Sequence, residues 1–205
     1  MSSARTLATV FALAALAAVS SVDAAAQATG PRCPGPPTGP ALQAGADLHL
    51  RIDANFSAYE RARLLRAVNE WNLALDGAAR FDIVEASPAD RAPPGAEPVW
   101  QVFVNRSLSQ EPAPRGGYPL AMTLPSGAGG GLVLVNTAEI DGRDITTVMR
   151  HELGHVLGLC HDPSGGLMTA QYSPHDQGCI DQGTMAALAD ELAVPALRLQ
   201  GCARR

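Results

Sequence analysis

The sequence predicts an α+β domain in which strands and one early helix come first and two helices come last. Three features favour this class: short runs of alternating or continuous apolar residues, one long amphipathic stretch at helical spacing, and two later helical stretches. The chain has 205 residues, of which 46% are hydrophobic and 17% charged, so it allows one ordinary core with some terminal extra. No internal repeat and no second folded domain is predicted.

The strands and the first helix follow from apolar periodicity. A capping box that begins at Ser57 precedes four apolar residues at helical spacing, Leu64, Val68, Trp71 and Leu75, which predict a long amphipathic helix with its apolar stripe toward the core. The strand at 120–124 ends at Pro125 and is therefore expected at an edge of the sheet. The strand at 132–135 is apolar on both faces and is expected to be central. In full, strands are predicted at 48–52, 81–84, 99–104, 120–124 and 132–135.

Two further helices complete the predicted fold. Asp144 can cap a helix that stops at Gly158, since glycine commonly follows a helix C-terminus. A last helix is predicted from Gln182 to about Leu192.

The N-terminal residues 1–28 have the layout of a secretory signal peptide. Arg5 gives the start of the chain a positive charge, residues 7–19 are apolar, and small residues with A-x-A cleavage patterns follow. The alternative, a membrane anchor, is disfavoured because the apolar run is short and no positive cluster follows it. We expect secretion to the exterior or the periplasm, with no membrane attachment after cleavage. Residues 29–45 are predicted to be a Pro/Gly-rich irregular segment, and residues 46–205 the folded domain.

The chain has four cysteines, and an even number in an exported protein suggests two disulfides. Sequence alone leaves three pairings open. We favour a bond between Cys160 and Cys179, which closes a short loop, and one between Cys33 and Cys202, which ties the chain ends together.

One run of residues has the spacing of a metal site. His151 and His155 are four residues apart, so a helix places both imidazoles on one face, where they can bind one ion. Glu152 between them is available as a general base. A catalytic zinc site has three protein ligands and an open position for water. His161 is the third candidate, because Gly158 lets the chain turn sharply after the helix. The alternative, ordinary surface or core histidines, gives no reason for this glycine and third histidine together.

The run H-E-x-x-H-x-x-G-x-x-H, followed by Leu167-Met168 and then Tyr172, resembles the metzincin zinc metallopeptidases. The Leu-Met pair with its later Tyr, and the Gly-rich loop before an inner strand at 127–136, are similar to the matrixin subgroup, the matrix-metalloproteinase-like enzymes. The resemblance implies a metzincin-type zincin fold, with a mixed twisted sheet, an active-site helix, one earlier long helix and a C-terminal helix. Residues 46–205 would then be the catalytic domain.

The resemblance also implies roles for individual residues. Met168 would form the apolar floor beneath a catalytic Zn²⁺. Substrate would lie extended along the edge strand, with Leu120 and Ala121 in its pocket, and Tyr172 would belong to the pocket wall. The expected reaction is hydrolysis of an internal peptide bond by an activated water, with Glu152 as general base.

The chain departs from the vertebrate matrixins at several positions. Only His49 and His175 are left for a second, structural zinc, and they belong to no cluster, so one zinc ion is predicted. Calcium is left open, although no loop has a recognisable calcium-binding pattern. Asp162 follows the third histidine, where matrixins usually carry Ser. Pro31-Arg32-Cys33 matches three residues of the matrixin latency motif, and a disulfide at Cys33 is the favoured alternative.

Two rival functions are kept: a zinc amidase that acts on a non-peptide substrate, and a zinc-binding interaction module without catalysis. Glu152 favours catalysis, because a silent module has no need of a general base. A net charge of -5 gives no reason to expect nucleic acid as a partner. A monomer that acts on polypeptide substrates is expected.

Overall fold

The fold is described from a computed structural model that places residues 42–84, 98–110, 118–126, 129–140, 144–172 and 179–201. Several predictions fall outside these described residues. They concern the signal peptide, most of segment 29–45, Cys33, Cys202 and His175. Within them, no helix has both the length and the apolar character needed to cross a bilayer.

A mixed five-stranded sheet forms the centre of the fold, with the strand order β2-β1-β3-β5-β4. Neighbouring strands are parallel from β2 to β5, whereas β4 runs antiparallel to β5 at the edge. The edge position predicted for 120–124 and the interior position predicted for 132–135 are both confirmed. The strands are β1 Ala46–Ile52, β2 Ala79–Ile83, β3 Val99–Val104, β4 Ala121–Pro125 and β5 Gly131–Val135.

Strand β4 begins one residue later than predicted and includes Pro125, which pairs with Gly131. A proline has no N–H to donate, so it is tolerated in an edge strand. Leu120 therefore lies just before the strand, where its carbonyl accepts a hydrogen bond from the N–H of Asn136 at 2.8 Å.

Helix α1, Ala58–Leu75, packs against the second helix, α2, with its apolar side. The predicted capping box is present: the hydroxyl of Ser57 accepts from the N–H of Glu60, and the Ser57 N–H donates to the Glu60 carboxylate at 2.7 Å. Trp71 is fully buried, and its indole N–H donates to the carbonyl of Arg150 at 2.9 Å. The predicted apolar stripe is confirmed, since its four residues, Leu64, Val68, Trp71 and Leu75, are all buried.

Helices α2, Ile145–Val156, and α3, Gln182–Glu191, complete the α+β fold as predicted, together with two short 3₁₀ segments. An ion pair joins α1 to α2, since the guanidinium of Arg150, 3% exposed, donates to the carboxylate of Glu70. Burial alone would raise the pKa of Glu70, but hydrogen bonds from Arg150 and Arg66 bring it below its usual range. Helix α2 also packs against β4, which brings the edge strand to the histidine helix.

Candidate metal centre

Helix α2 presents the first two histidines of the motif. Asp144 caps the helix, and its carboxylate accepts from the N–H of Thr146 at 2.9 Å. One turn separates His151 from His155, and their ring centroids are 4.7 Å apart. The helix backbone therefore places both imidazoles on one side of α2.

The chain leaves α2 through a left-handed glycine, as predicted. Gly158 has φ +90°, its N–H donates to the carbonyl of His155, and the N–H of Leu159 donates to that of Gly154, each at 3.0 Å. This pair of bonds is a Schellman motif, which ends a helix and reverses the chain direction. The helix itself ends at Val156, and the turn brings His161 back to the other two histidines.

Three imidazole nitrogens converge at the end of this turn. The Nε2 atom of His155 lies 3.0 Å from Nε2 of His151 and 3.2 Å from Nε2 of His161. Among the described residues, these three form the one group of three or more side chains suited to hold a metal, with ligand atoms within 4.8 Å of one another. Tetrahedral zinc with Zn–N bonds of about 2 Å separates its nitrogens by about 3.3 Å. The residues therefore fit a three-histidine zinc site.

Backbone carbonyls fix the orientation of the two helical histidines. Nδ1 of His151 lies 2.7 Å from the carbonyl oxygen of Leu167, and Nδ1 of His155 lies 2.7 Å from that of Leu159. Since a carbonyl can only accept, each Nδ1 carries the proton and each Nε2 keeps its lone pair for a metal.

The electrostatic environment also favours neutral imidazoles. Burial, and then the nearby His155, lower the pKa of His151 to about 4, although its bond to Leu167 acts in the opposite direction. Burial likewise lowers the pKa values of His155 and His161. Neutral imidazole is the form that binds metal, so the site does not have to lose protons at neutral pH.

Glu152 projects from α2 into a buried position and is 5% exposed. Its Oε2 accepts a hydrogen bond from the hydroxyl of Thr123 in β4, with an oxygen–oxygen distance of 2.5 Å. Burial raises the pKa of Glu152 to about 7, and the bond from Thr123 partly opposes that rise. A carboxyl group with such a pKa can exchange a proton near neutral pH.

Met168 packs directly against α2. It is 3% exposed, and a Cβ atom added at Gly154 would lie 2.5 Å from its sulfur. The absence of a side chain at Gly154 therefore lets the Met168 sulfur approach the helix backbone closely. The carbonyl of Met168 also accepts from the N–H of Asp162 at 2.7 Å, which closes the loop between the third histidine and the methionine.

Asp181 supports this loop and was not singled out from the sequence. One of its carboxylate oxygens caps α3 by accepting from the N–H of Thr184 at 3.0 Å, and the other accepts from the N–H of Leu167 at 2.9 Å. Because the carbonyl of Leu167 contacts His151, Asp181 holds the N–H side of the same residue whose carbonyl orients a candidate ligand. Burial would raise the pKa of Asp181, but these hydrogen bonds lower it overall. The sequence does show that an Asp directly before a helix can cap it. It does not show that the same carboxylate binds the N–H of Leu167.

The other predicted residues lie at the border of the core. Leu120, Ala121 and Tyr172 are partly buried and pack against it. Neither Cys160 nor Cys179 is a free thiol.

The mixed sheet, the three helices and the three-histidine group define a metzincin-type α+β zincin fold. The family model for Matrixin matches residues 36–187, which is most of the chain. The chain belongs to the matrixin family, whose members are zinc metalloendopeptidases. Membership confirms the predicted resemblance and implies a catalytic zinc.

Two solved structures are similar to this chain. Metalloproteinase-II from Bacteroides fragilis is 15% identical with a TM-score of 0.49, over 75% of this chain and 55% of that chain. High choriolytic enzyme 1, a hatching enzyme zinc-protease from the medaka fish Oryzias latipes, is 19% identical with a TM-score of 0.33, over 56% and 44% respectively. This chain spans about half the length of those chains. No curated protein matches it significantly.

Proposed function

We propose that this chain is a secreted endopeptidase that hydrolyses internal bonds of extended polypeptides. His151, His155 and His161 are its zinc ligands, and Glu152 is its general base. The observation that carries this proposal is the convergence of three Nε2 atoms beside a buried carboxylate of the same helix. Such a set provides three neutral ligands and a proton acceptor, which are the protein parts of a hydrolytic zinc site.

The proton chemistry belongs to Glu152. Zinc held by the three histidines would supply a Lewis acid, which makes a peptide carbonyl more electrophilic and a nearby water more acidic. Glu152 accepts the proton of the attacking water and delivers it to the amine that leaves. A pKa raised by burial to about 7 suits both transfers.

We propose that substrate binds along β4. This strand pairs with β5 on one side, and its other side has no strand partner in the part of the chain that the structure describes. An extended polypeptide can add to such an edge through backbone hydrogen bonds. Tyr118 and Leu124 are 50% and 41% exposed near the two ends of β4 and offer apolar contacts. Leu120, Ala121 and Tyr172 are proposed to line the pocket.

The chain organisation is part of the proposal. Residues 1–28 are a signal peptide, residues 29–45 an irregular N-terminal segment and residues 46–205 the catalytic domain. The first described strand begins at Ala46, which agrees with this division. Disulfides are proposed between Cys160 and Cys179 and between Cys33 and Cys202.

The test compares the wild type with Glu152→Gln and Glu191→Gln on a denatured protein and on an internally quenched peptide, with zinc content measured in all three. Glu191 is an exposed residue at the end of α3, so its variant is the matched control. We expect one zinc ion per chain in each, and a kcat for Glu152→Gln that is lower by about 100-fold or more. The control should retain wild-type activity. A zinc-loaded wild type that cleaves neither substrate contradicts the proposal and favours a non-catalytic module or a zinc amidase.

A further inference from the structure

The edge strand contacts the proposed general base through one side chain. Thr123 is the middle residue of β4 and pairs with Val133 of β5. Its hydroxyl lies 2.5 Å from Oε2 of Glu152 and 3.4 Å from the Glu152 backbone carbonyl. A threonine hydroxyl has one proton to donate, and the shorter distance assigns that proton to the carboxylate.

This contact decides which carboxylate oxygen of Glu152 is available. The side chain is 5% exposed, and a buried carboxylate is costly unless it is hydrogen-bonded. Among the described residues, Thr123 is the one hydrogen-bond donor to this carboxylate. Rotation about the last torsion of a glutamate is broad and nearly two-fold, so a single bond to Oε2 is enough to select one orientation.

We propose that Thr123 is a positioning residue for Glu152: its hydroxyl holds Oε2, which leaves Oε1 as the oxygen that takes the proton. The inference rests on the proposed function. As the water oxygen bonds to the carbonyl carbon, its proton moves to Oε1, and the same proton passes to the nitrogen when the C–N bond breaks. Thr123 keeps its own proton throughout. Because β4 is also the proposed substrate strand, one residue aligns the base with the bound polypeptide.

The competing explanation is that Thr123 only stabilises a buried charge. Thr123→Val keeps the branched shape and removes the hydroxyl, whereas Thr123→Ser keeps the hydroxyl and removes a methyl group. Thr146→Val is the matched control, because Thr146 is buried in α2 and its hydroxyl has no hydrogen-bond partner among the described residues. If Thr123 had a purely structural role, its loss would change the unfolding temperature. It would not lower kcat while KM stays nearly unchanged.

The experiment measures kcat and KM on one quenched peptide, together with zinc content and unfolding temperature, for the zinc-loaded wild type and the three variants. We expect Thr123→Val to lower kcat by about 10-fold, with KM within about two-fold of wild type and unchanged zinc content. Thr123→Ser should recover most of the kcat, and Thr146→Val should match the wild type. If the valine variant does not fold, Thr123→Ala removes the same hydroxyl with less bulk, and the same division between kcat and KM is expected.

A second measurement does not depend on activity. In a crystal structure of Thr123→Val, the Glu152 carboxylate should turn or take more than one orientation. The inference is overturned if the carboxylate stays in its single orientation, if the valine variant keeps its kcat, or if the serine variant loses as much kcat as the valine variant. Failure of the proposed function gives a different result, in which the zinc-loaded wild type itself cleaves nothing.

Discussion

The two halves of the proposed metal centre are built in different ways. His151, Glu152 and His155 belong to α2, where regular backbone hydrogen bonds set their positions. The other half, the segment 157–172 with His161, depends on individual contacts: the turn at Gly158, the bond from Asp162 to Met168 and the bond from Leu167 to Asp181. A helix tolerates the loss of one bond better than a loop that has few. We therefore expect the loop half to control how tightly the metal is held.

The first and largest expected effect is the loss of a ligand from either half. His155→Ala and His161→Ala should each lower zinc affinity by more than about 100-fold, since changing even the residues behind a ligand costs 10- to 100-fold. Both variants should lose peptidase activity. Competition with a chelator of known affinity measures the change. A zinc affinity for His161→Ala within a few-fold of wild type would mean that His161 is not a ligand.

The second largest effect is expected from removal of the predicted disulfide between Cys160 and Cys179. Replacing Cys160 and Cys179 by Ser together should lower the free energy of unfolding by about 3 kcal/mol, the value typical of a short closed loop. Urea denaturation of the metal-free proteins measures this difference. Mass spectrometry of unreduced peptides tests the pairing directly, and a peptide that links Cys160 to Cys33 or Cys202 would show that the favoured pairing is wrong.

Asp181→Asn should test whether Asp181 supports the loop at Leu167 in addition to capping α3. Thr184 and Leu167 donate their N–H groups to different carboxylate oxygens. Asn replaces one of those oxygens by an NH2 donor, so in the same orientation one of the two N–H groups loses its acceptor. The unpaired, buried N–H should cost about 1–3 kcal/mol in unfolding free energy and lower zinc affinity. Asp190→Asn, an exposed change in α3, is the control. Equal zinc affinity in Asp181→Asn and wild type would show that the Leu167 carbonyl keeps its place beside His151 without the aspartate.

The contribution of Asp181 should also depend on pH. Its pKa is lowered in the folded protein, so the folded state favours the charged form. This stabilisation is fully present above the ordinary Asp pKa of about 4 and is lost as the pH falls through the lowered folded value. The stability difference between wild type and Asp181→Asn should therefore shrink on acidification. A difference that grows below pH 4 would contradict the assignment.

The smallest effect is expected at the turn. Gly158 and Gly45 have φ of +90° and +83°, so alanine at either position should cost about 1 kcal/mol in unfolding free energy through backbone strain. Gly45 lies in a turn before β1 and has open space around it. Only Gly158→Ala should also weaken zinc binding, because only that turn leads to His161. Equal zinc affinity in both variants would show that the turn at Gly158 does not affect zinc binding.

The sequence was sufficient to predict the helices and strands, whose apolar residues recur at regular spacing. The apolar stripe of α1, the capping box at Ser57, the edge position of β4 and the extent of α3 were predicted from periodicity and caps, with ends correct to within about two residues. The convergence of His151, His155 and His161 was predicted from spacing and one glycine. Each of these follows from the local geometry of a helix or strand, so neighbouring residues carry the signal.

The contacts that support the site were not predictable in the same way. Thr123 reaches Glu152 only because β4 pairs with β5 in one register and α2 packs on β4. The bonds from Arg150 to Glu70 and from Leu167 to Asp181 likewise join residues distant in sequence. A single side chain of this kind leaves no repeating pattern, because its partner is set by the packing of whole elements.

The short spacing of the three proposed zinc ligands also affects how much a bound zinc would stabilise the fold. All three lie within residues 151–161, so an unfolded chain still carries them on one short, flexible stretch. A metal ion that binds the unfolded chain as well as the native protein stabilises the native state by less than its native affinity alone would give. We expect chelation of zinc to lower the unfolding temperature by less than a measured native Kd implies. That difference measures how much of the site is present before the domain folds.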